Sequence, residues 1–172
     1  EGKSLIATNL AISFAMDNRK TLLIGGDLRR PAFKKIFDVE TMPVGLSDVL
    51  RGDQEWRDVI NTILVPGLDL ISSGEVPDNP AELIGGRRME EILNEMRDEY
   101  DRIIIDSSPM MGISDPLLLM QYVDGVLYVV RQGVTHSLSA SHAIKRIRDI
   151  GAECIGAVMN GVNLNSMTNY YY

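Results

Sequence analysis

Three short stretches carry residue types suited to phosphate and metal chemistry. Glu1-Gly2-Lys3-Ser4 opens a helical pattern and matches the closing Gly-Lys-Ser of the loop G-x-x-x-x-G-K-[ST]. In that loop backbone amides and the helix start hold phosphates, the lysine reaches the outer phosphates and the hydroxyl ligates Mg²⁺. The loop's first glycine and the strand feeding it would precede Glu1. Asp106 ends the apolar run Ile103-Ile104-Ile105, the position of an acid that holds Mg²⁺ directly or through water. A turn acid capping Ser107-Ser108-Pro109 is the competing reading of the same residue. Asp27 stands two residues past Leu22-Leu23-Ile24 as a second strand-end acid. A hard cation wants oxygen ligands, so Ser4, Asp27 and Asp106 are the candidate metal set around a nucleotide's phosphates.

The elements that would position them follow from periodicity. Leu5, Ile6, Leu10 and Phe14 recur at helical spacing from Ser4 to about Asp17. Thr21 to Gly25 reads as a buried parallel strand, and Leu68 to Ser72 as another. A short helix is expected between Gly45 and Gly52. A longer one is expected from about Ala81 to Glu99, weakened at Gly85-Gly86. Arg102 to Asp106, Val123 to Val130 and Ile155 to Met159 supply further strands. Between the last two lies an amphipathic helix, with Ala140, Ala143, Ile144, Ile147 and Ile150 on one face and Lys145, Arg146 and Arg148 on the other. Strands alternating with helices give right-handed βαβ units and a mostly parallel sheet in a three-layer α/β/α fold. Such a sheet binds ligands at the carboxyl ends of its strands, where all three motifs fall.

Composition narrows the function classes. The 172 residues include 45% hydrophobic and 24% charged, an ordinary globular balance. A net charge of −7 argues against a duplex nucleic-acid partner. No apolar run approaches the roughly 20 residues that span a bilayer. A single cysteine, Cys154, permits no internal disulfide and fits a reducing cytoplasm.

Beyond these motifs, longer segments resemble one family. Leu22-Leu-Ile-Gly-Gly-Asp-Leu-Arg-Arg-Pro31 is similar to the second acidic motif, Walker A′, of the bacterial tyrosine kinases that accompany capsule and exopolysaccharide export. Asn79-Pro-Ala-Glu-Leu83, Arg88-Met-Glu-Glu-Ile-Leu93, Tyr100-Asp-Arg-Ile-Ile-Ile-Asp-Ser-Ser-Pro109 and the terminal Tyr170-Tyr171-Tyr172 resemble the same family. It sits within the larger phosphate-loop group of MinD- and ParA-like ATPases. The resemblance implies ATP and Mg²⁺ as cofactors, with Lys3, Asp27 and Asp106 catalytic. Glu1, Gly2, Lys3, Ser4 and Leu5 would bind the nucleotide. Tyr170, Tyr171 and Tyr172 would accept phosphate in a neighbouring subunit's site, on a flexible tail of residues 163–172 that follows a kinase domain of residues 1–162. It further implies a homo-oligomeric ring, a membrane co-polymerase segment or activator, a phosphotyrosine phosphatase and a cytoplasmic domain tethered to the membrane. From the residues alone, a packing or interface patch is an equal reading of the tyrosines.

The chain departs from the family at Gly25, where the first of two Walker A′ acids is usual. General-base assistance is worth about 10² to 10⁴ in rate. Positioning and charge neutralisation dominate phosphoryl transfer, so a slow kinase is expected rather than an inert one. Two other readings stay open: a MinD/ParA-like ATPase switch, and a nucleotide-dependent scaffold without transfer activity. Asp-Ser-Ser-Pro replaces the usual Asp-Thr-Pro-Pro at the end of the third predicted strand, a change expected to be tolerated. Asn160, at a strand end, is a candidate for an adenine edge or for a plain turn with Gly161. Arg131 would flank the nucleotide or simply end its strand in solvent. His136 and His142 are expected on a helix surface, and Trp56 in packing.

Overall fold

The computed structural model describes residues 1–37, 42–63, 65–110 and 112–163. The chain divides into two compact units, Lys3–Tyr122 and Glu1–Gly2 with Val123–Tyr172. Among the described residues no helix is long and apolar enough to cross a membrane.

The first unit contains, in order, α1 (Lys3–Met16), β1 (Thr21–Gly25), α2 (Phe33–Ile36), α3 (Leu46–Arg51), a 3₁₀ turn (Trp56–Val59), β2 (Ile60–Thr62) and β3 (Leu68–Ile71). There follow α4 (Pro80–Ile84), α5 (Arg87–Glu99), β4 (Arg102–Asp106), α6 (Asp115–Leu119) and a second 3₁₀ turn (Met120–Tyr122). The sheet order is β2-β3-β1-β4. β1 is central and parallel to both neighbours, while β2 runs antiparallel to β3.

Alternation along the strands builds one core on each face. Leu22, Ile24, Ile71, Ile103 and Ile105 pack with Trp56, Ile84, Met89, Ile92 and Met96 under α3 to α6. Leu23, Leu68, Leu70 and Ile104 face the other way, against Ala11 and Ala15 of α1 and Phe33 of α2. Helices therefore cover both sides of the sheet, the three-layer α/β/α arrangement expected, and each fully buried Leu or Ile contributes about 1.5–3 kcal/mol. Such double coverage is why β1 reads as an unbroken apolar run.

The second unit holds β5 (Val126–Arg131), α7 (Ser137–Asp149) and β6 (Cys154–Asn160). β5 and β6 are parallel and joined by α7, a βαβ unit. Ala143 and Ile147 are buried, whereas Ile150 lies exposed, so the expected apolar face of α7 is narrower than its pattern.

Four local differences from the sequence reading have physical causes. The helix expected from Ala81 to Glu99 is two helices, because Gly86 takes an extended ψ of 156° between α4 and α5. β5 begins at Val126 rather than Val123, since Asp124-Gly125 interrupts the apolar run. β2 has no strong pattern of its own and exists through pairing with β3. α6 was unassigned in the sequence; it starts at Asp115 with Pro116 in its first turn, a favourable place for proline.

Candidate functional site

Register brings the acids together. β1 and β4 pair so that Gly25 stands opposite Asp106, and the Gly26 amide donates to the Asp106 carbonyl at 2.8 Å. Asp27 therefore emerges beside the end of β4, although 79 positions separate it from Asp106 (106 − 27). Asp27 is held in its turn: Oδ1 accepts the backbone amides of Arg29 at 3.1 Å and Arg30 at 3.0 Å.

Asp106 is only 4% exposed. Burial pushes its carboxyl up to about 6; Asp27 nearby pushes the same way, against the Ser4 hydroxyl, Lys3 and the Ser107 amide, which favour the charged form. Lys3, Ser4, Asp27 and Asp106 thus lie in one electrostatic neighbourhood. Asp106 Oδ1 and the Ser108 hydroxyl are buried without a hydrogen-bond partner. A dry carboxylate oxygen with an unused lone pair, next to a second carboxylate, is costly unless a cation or proton completes it. That donor set fits a divalent cation of Mg²⁺ type, which uses one or two carboxylates and fills its remaining positions with phosphate oxygens and water. No group of three or more His, Cys, Asp or Glu among the described residues is arranged to hold a metal by itself.

α1 supplies the complementary end. Lys3, Ser4 and Leu5 are its first three residues, whose amides lack intrahelical acceptors and point out of the helix start. The Leu5 side chain is exposed, so its contribution to a ligand would come from its N–H. An N-terminus of this kind favours anions.

In the other unit, Gly2 has φ +92, and a Cβ there would fall 2.1 Å from Asn160 Nδ2. Only glycine accommodates both. Asn160 ends β6; its amide nitrogen donates to the Glu1 carbonyl at 2.9 Å and its Oδ1 accepts the Gly161 amide at 2.8 Å. Asn160 therefore braces Glu1-Gly2 through its side chain. Arg131 is in register with Asn160 at the end of β5, exposed, with its aliphatic stem against Gly161. Tyr170, Tyr171 and Tyr172 lie outside the described residues.

Sequence reasoning passed over two features. Ser108 is buried beside the β4 end, and the only local signal was its place in Asp106-Ser107-Ser108-Pro109. Arg29 pairs with Asp115 across the fold, a contact that no local pattern encodes. His142 is exposed on α7 as expected, His136 is exposed as the extended residue that precedes it, and Trp56 is fully buried as expected, with Nε1 donating to Glu95 at 2.9 Å.

Comparisons with known proteins place this geometry. Residues 1–153 match the family model described as an AAA domain. The tyrosine-protein kinase YwqD of Bacillus subtilis (strain 168) is 35% identical over 172 residues, covering 100% of this chain and 72% of that protein. Etk, a tyrosine-protein kinase of Escherichia coli (strain K12), is 35% identical over 99% of the chain, which spans only 23% of its length. The chain likewise spans 22% of the tyrosine-protein kinase ptk of Acinetobacter johnsonii. Among solved structures, the VpsO kinase domain superposes with a TM-score of 0.89 at 34% identity, covering 95% of this chain and 80% of that one. The cell-division ATPase MinD of Pyrococcus furiosus, at 21% identity, shares the fold alone: TM-score 0.77, covering 98% of this chain and 73% of MinD. With phosphate-loop residues, strand-end acids and full-length similarity in agreement, the chain belongs to the bacterial tyrosine-protein kinase family.

Proposed function

We propose that this chain is the ATP-binding, Mg²⁺-dependent domain of a protein-tyrosine autokinase. The observation that carries the reading is the convergence of Lys3, Ser4 and Asp27 on the buried carboxylate of Asp106, one oxygen of which has no hydrogen-bond partner. ATP would supply the γ-phosphoryl and Mg²⁺ would neutralise charge on it, the largest contribution to phosphoryl transfer. Ser4, Asp27 and Asp106 would hold the cation; Lys3 would reach the outer phosphates and the amides of Ser4 and Leu5 would face phosphate oxygens. Glu1, Gly2, Arg131 and Asn160 would complete the nucleotide contacts. A hydroxyl of Tyr170, Tyr171 or Tyr172 from a neighbouring copy would form the new P–O bond as the bond to the departing ADP oxygen breaks. The tyrosine proton passes to solvent, since position 25 offers no acid to take it.

By the same reading, the domain would act in capsule or exopolysaccharide polymerisation and export, within a homo-oligomeric ring of kinase domains. A membrane co-polymerase segment or activator would be its partner, with the domain on the cytoplasmic side. A phosphotyrosine phosphatase would reset the cycle. We take residues 1–162 as the kinase domain and 163–172 as its acceptor tail.

A second reading, a nucleotide-dependent scaffold with weak or no transfer, is favoured by one observation. A Cβ at Gly25 would fall 2.8 Å from the Ser73 amide nitrogen and 3.3 Å from Phe33, so the family's first acid has no room as the chain stands. Incubation with Mg²⁺ and γ-labelled ATP separates the readings. Label that disappears when Tyr170–Tyr172 are changed to Phe supports the autokinase. Free phosphate alone supports a MinD/ParA-like switch, and nucleotide binding without turnover supports the scaffold. Turnover that survives Lys3→Met would defeat both enzyme readings.

A further inference from the structure

Arg29 and Asp115 form a two-pronged ion pair. Arg29 Nε lies 2.7 Å from Asp115 Oδ2, and Nη2 lies 3.0 Å from Oδ1. The fork matches the carboxylate at both oxygens, the arrangement that gives guanidinium–carboxylate pairs their geometric specificity. Asp115 is 0% exposed, while the Arg29 side chain keeps partial contact with solvent. A fully buried carboxylate deprived of its partner is strongly destabilised, so Arg29 is not free to swing away.

The same Arg29 donates its backbone amide to Asp27 Oδ1, as does Arg30. Between Asp27 and Arg29, Leu28 is fully buried and its amide donates to the Gly26 carbonyl at 3.1 Å. Between β1 and α2 the chain therefore has three anchors: the buried Leu28 side chain, the Arg29 fork and the amides closing on Asp27. The fork reaches the helix that follows the end of β4, so the turn carrying one acid is tied to the segment following the other.

We propose that Arg29, locked by Asp115, is a positioning residue that sets the side-chain orientation of Asp27 toward Asp106. The two amides grip Asp27 through Oδ1, and that grip fixes how the carboxylate faces the cation. This rests on the reading of Ser4, Asp27 and Asp106 as the Mg²⁺ site. Lysine keeps the charge at position 29 but offers a single point donor, so it cannot reproduce the fork. Asparagine at position 115 keeps the shape and loses the charge.

The test is the Mg²⁺ dependence of fluorescent ADP-analogue binding by the full chain, for wild type, Arg29→Lys and Asp115→Asn. Thermal melting and amide hydrogen exchange are measured on the same samples. Removing an outer partner of a metal ligand typically weakens metal affinity about 10- to 100-fold. The expected result is a rise of that size in the Mg²⁺ midpoint for both variants. Nucleotide affinity in chelator should stay within about twofold of wild type, with faster exchange at the Arg29 and Arg30 amides. An unchanged Mg²⁺ midpoint in Arg29→Lys overturns the proposal, whatever happens to the melting temperature. Loss of fold in both variants also overturns it, by reducing the pair to a structural tie. Wild type binding the analogue with no Mg²⁺ dependence would instead remove the proposed metal site, and the inference with it.

Discussion

The two units bury their apolar residues very differently. In Lys3–Tyr122 both faces of the sheet are covered, and Leu22, Leu23, Ile24, Leu68, Leu70 and Ile71 are essentially removed from water. Among the described residues from Val123 onward only Val129, Ala143 and Ile147 are buried apolar side chains, while Ile155 is 64% and Met159 60% exposed. β6 alternates, half-buried on one face and open on the other, on a two-stranded sheet. A two-stranded sheet gains independent stability only by packing against another element, here α7 through Ala143 and Ile147. The contrast teaches where the proposed site is anchored. The acids and the lysine sit on the well-packed unit, whose tight packing holds a buried charge that a looser scaffold would solvate. The Asn160 brace sits on the lighter one.

The largest expected effect that sharpens this contrast is at Trp56. It is fully buried, stacked under the Arg57 guanidinium at 4.2 Å and hydrogen-bonded to Glu95. Trp56→Ala should cost about 3–5 kcal/mol by denaturant titration. A cost below about 1 kcal/mol would mean that this core is not the stable one.

Next comes Asp106→Asn, where activity and stability should move in opposite directions. Labelled-phosphate transfer should fall by about 10²-fold or more, as for loss of one preorganised charged group. The ligand-free protein, however, should become more stable. The Asp106 carboxyl titrates near 6 in the fold against 3.8 when unperturbed. The folded state therefore holds the proton more tightly, and the wild-type protein loses stability as pH rises from about 4 to 6, up to about 3 kcal/mol above that. Melting curves at pH 4 and pH 7.5 check the sign: the asparagine variant should show a much smaller fall. Equal falls in both proteins would mean the buried charge is not the cause.

Gly25→Asp tests the missing acid. The added Cβ would press on the Ser73 backbone, so the substitution should lower stability by about 1–3 kcal/mol, as overpacking does, rather than simply restore a faster kinase. A variant as stable as the parent and clearly more active would show that the loop at Ser73 yields cheaply. At the small end, Ile155→Thr and Met159→Thr on the open face of β6 should each change stability by no more than about 0.5 kcal/mol. Larger losses, read from the same denaturant midpoints, would show that this face is covered in the working protein.

Local patterns were enough for most of the elements. Thr21–Gly25 and Arg102–Asp106 could be read to the residue, because strands buried on both faces are short apolar runs with sharp polar ends. α1 and α7 followed from helical spacing. The long helix over Ala81–Glu99 failed at its weakest point, since a glycine pair lowers helix preference without stating whether the chain bends or breaks. β2 was invisible because its only support is the ladder to β3, a partner distant from its own residue pattern. The family and the identities of Lys3, Ser4, Asp27 and Asp106 were legible in the motifs.

What the motifs could not state is how these groups meet. That depends on the β1–β4 register placing Gly25 opposite Asp106, and on the burial that leaves one carboxylate oxygen and the Ser108 hydroxyl without partners. It depends equally on Arg29 finding Asp115 and on the Ser73 backbone closing against Gly25. Composition and periodicity act over a few residues, so the linear chain determined its elements and its reactive side chains. Register, desolvation and long-range pairing arise only when strands and helices from distant positions pack, and the tertiary structure alone decided them.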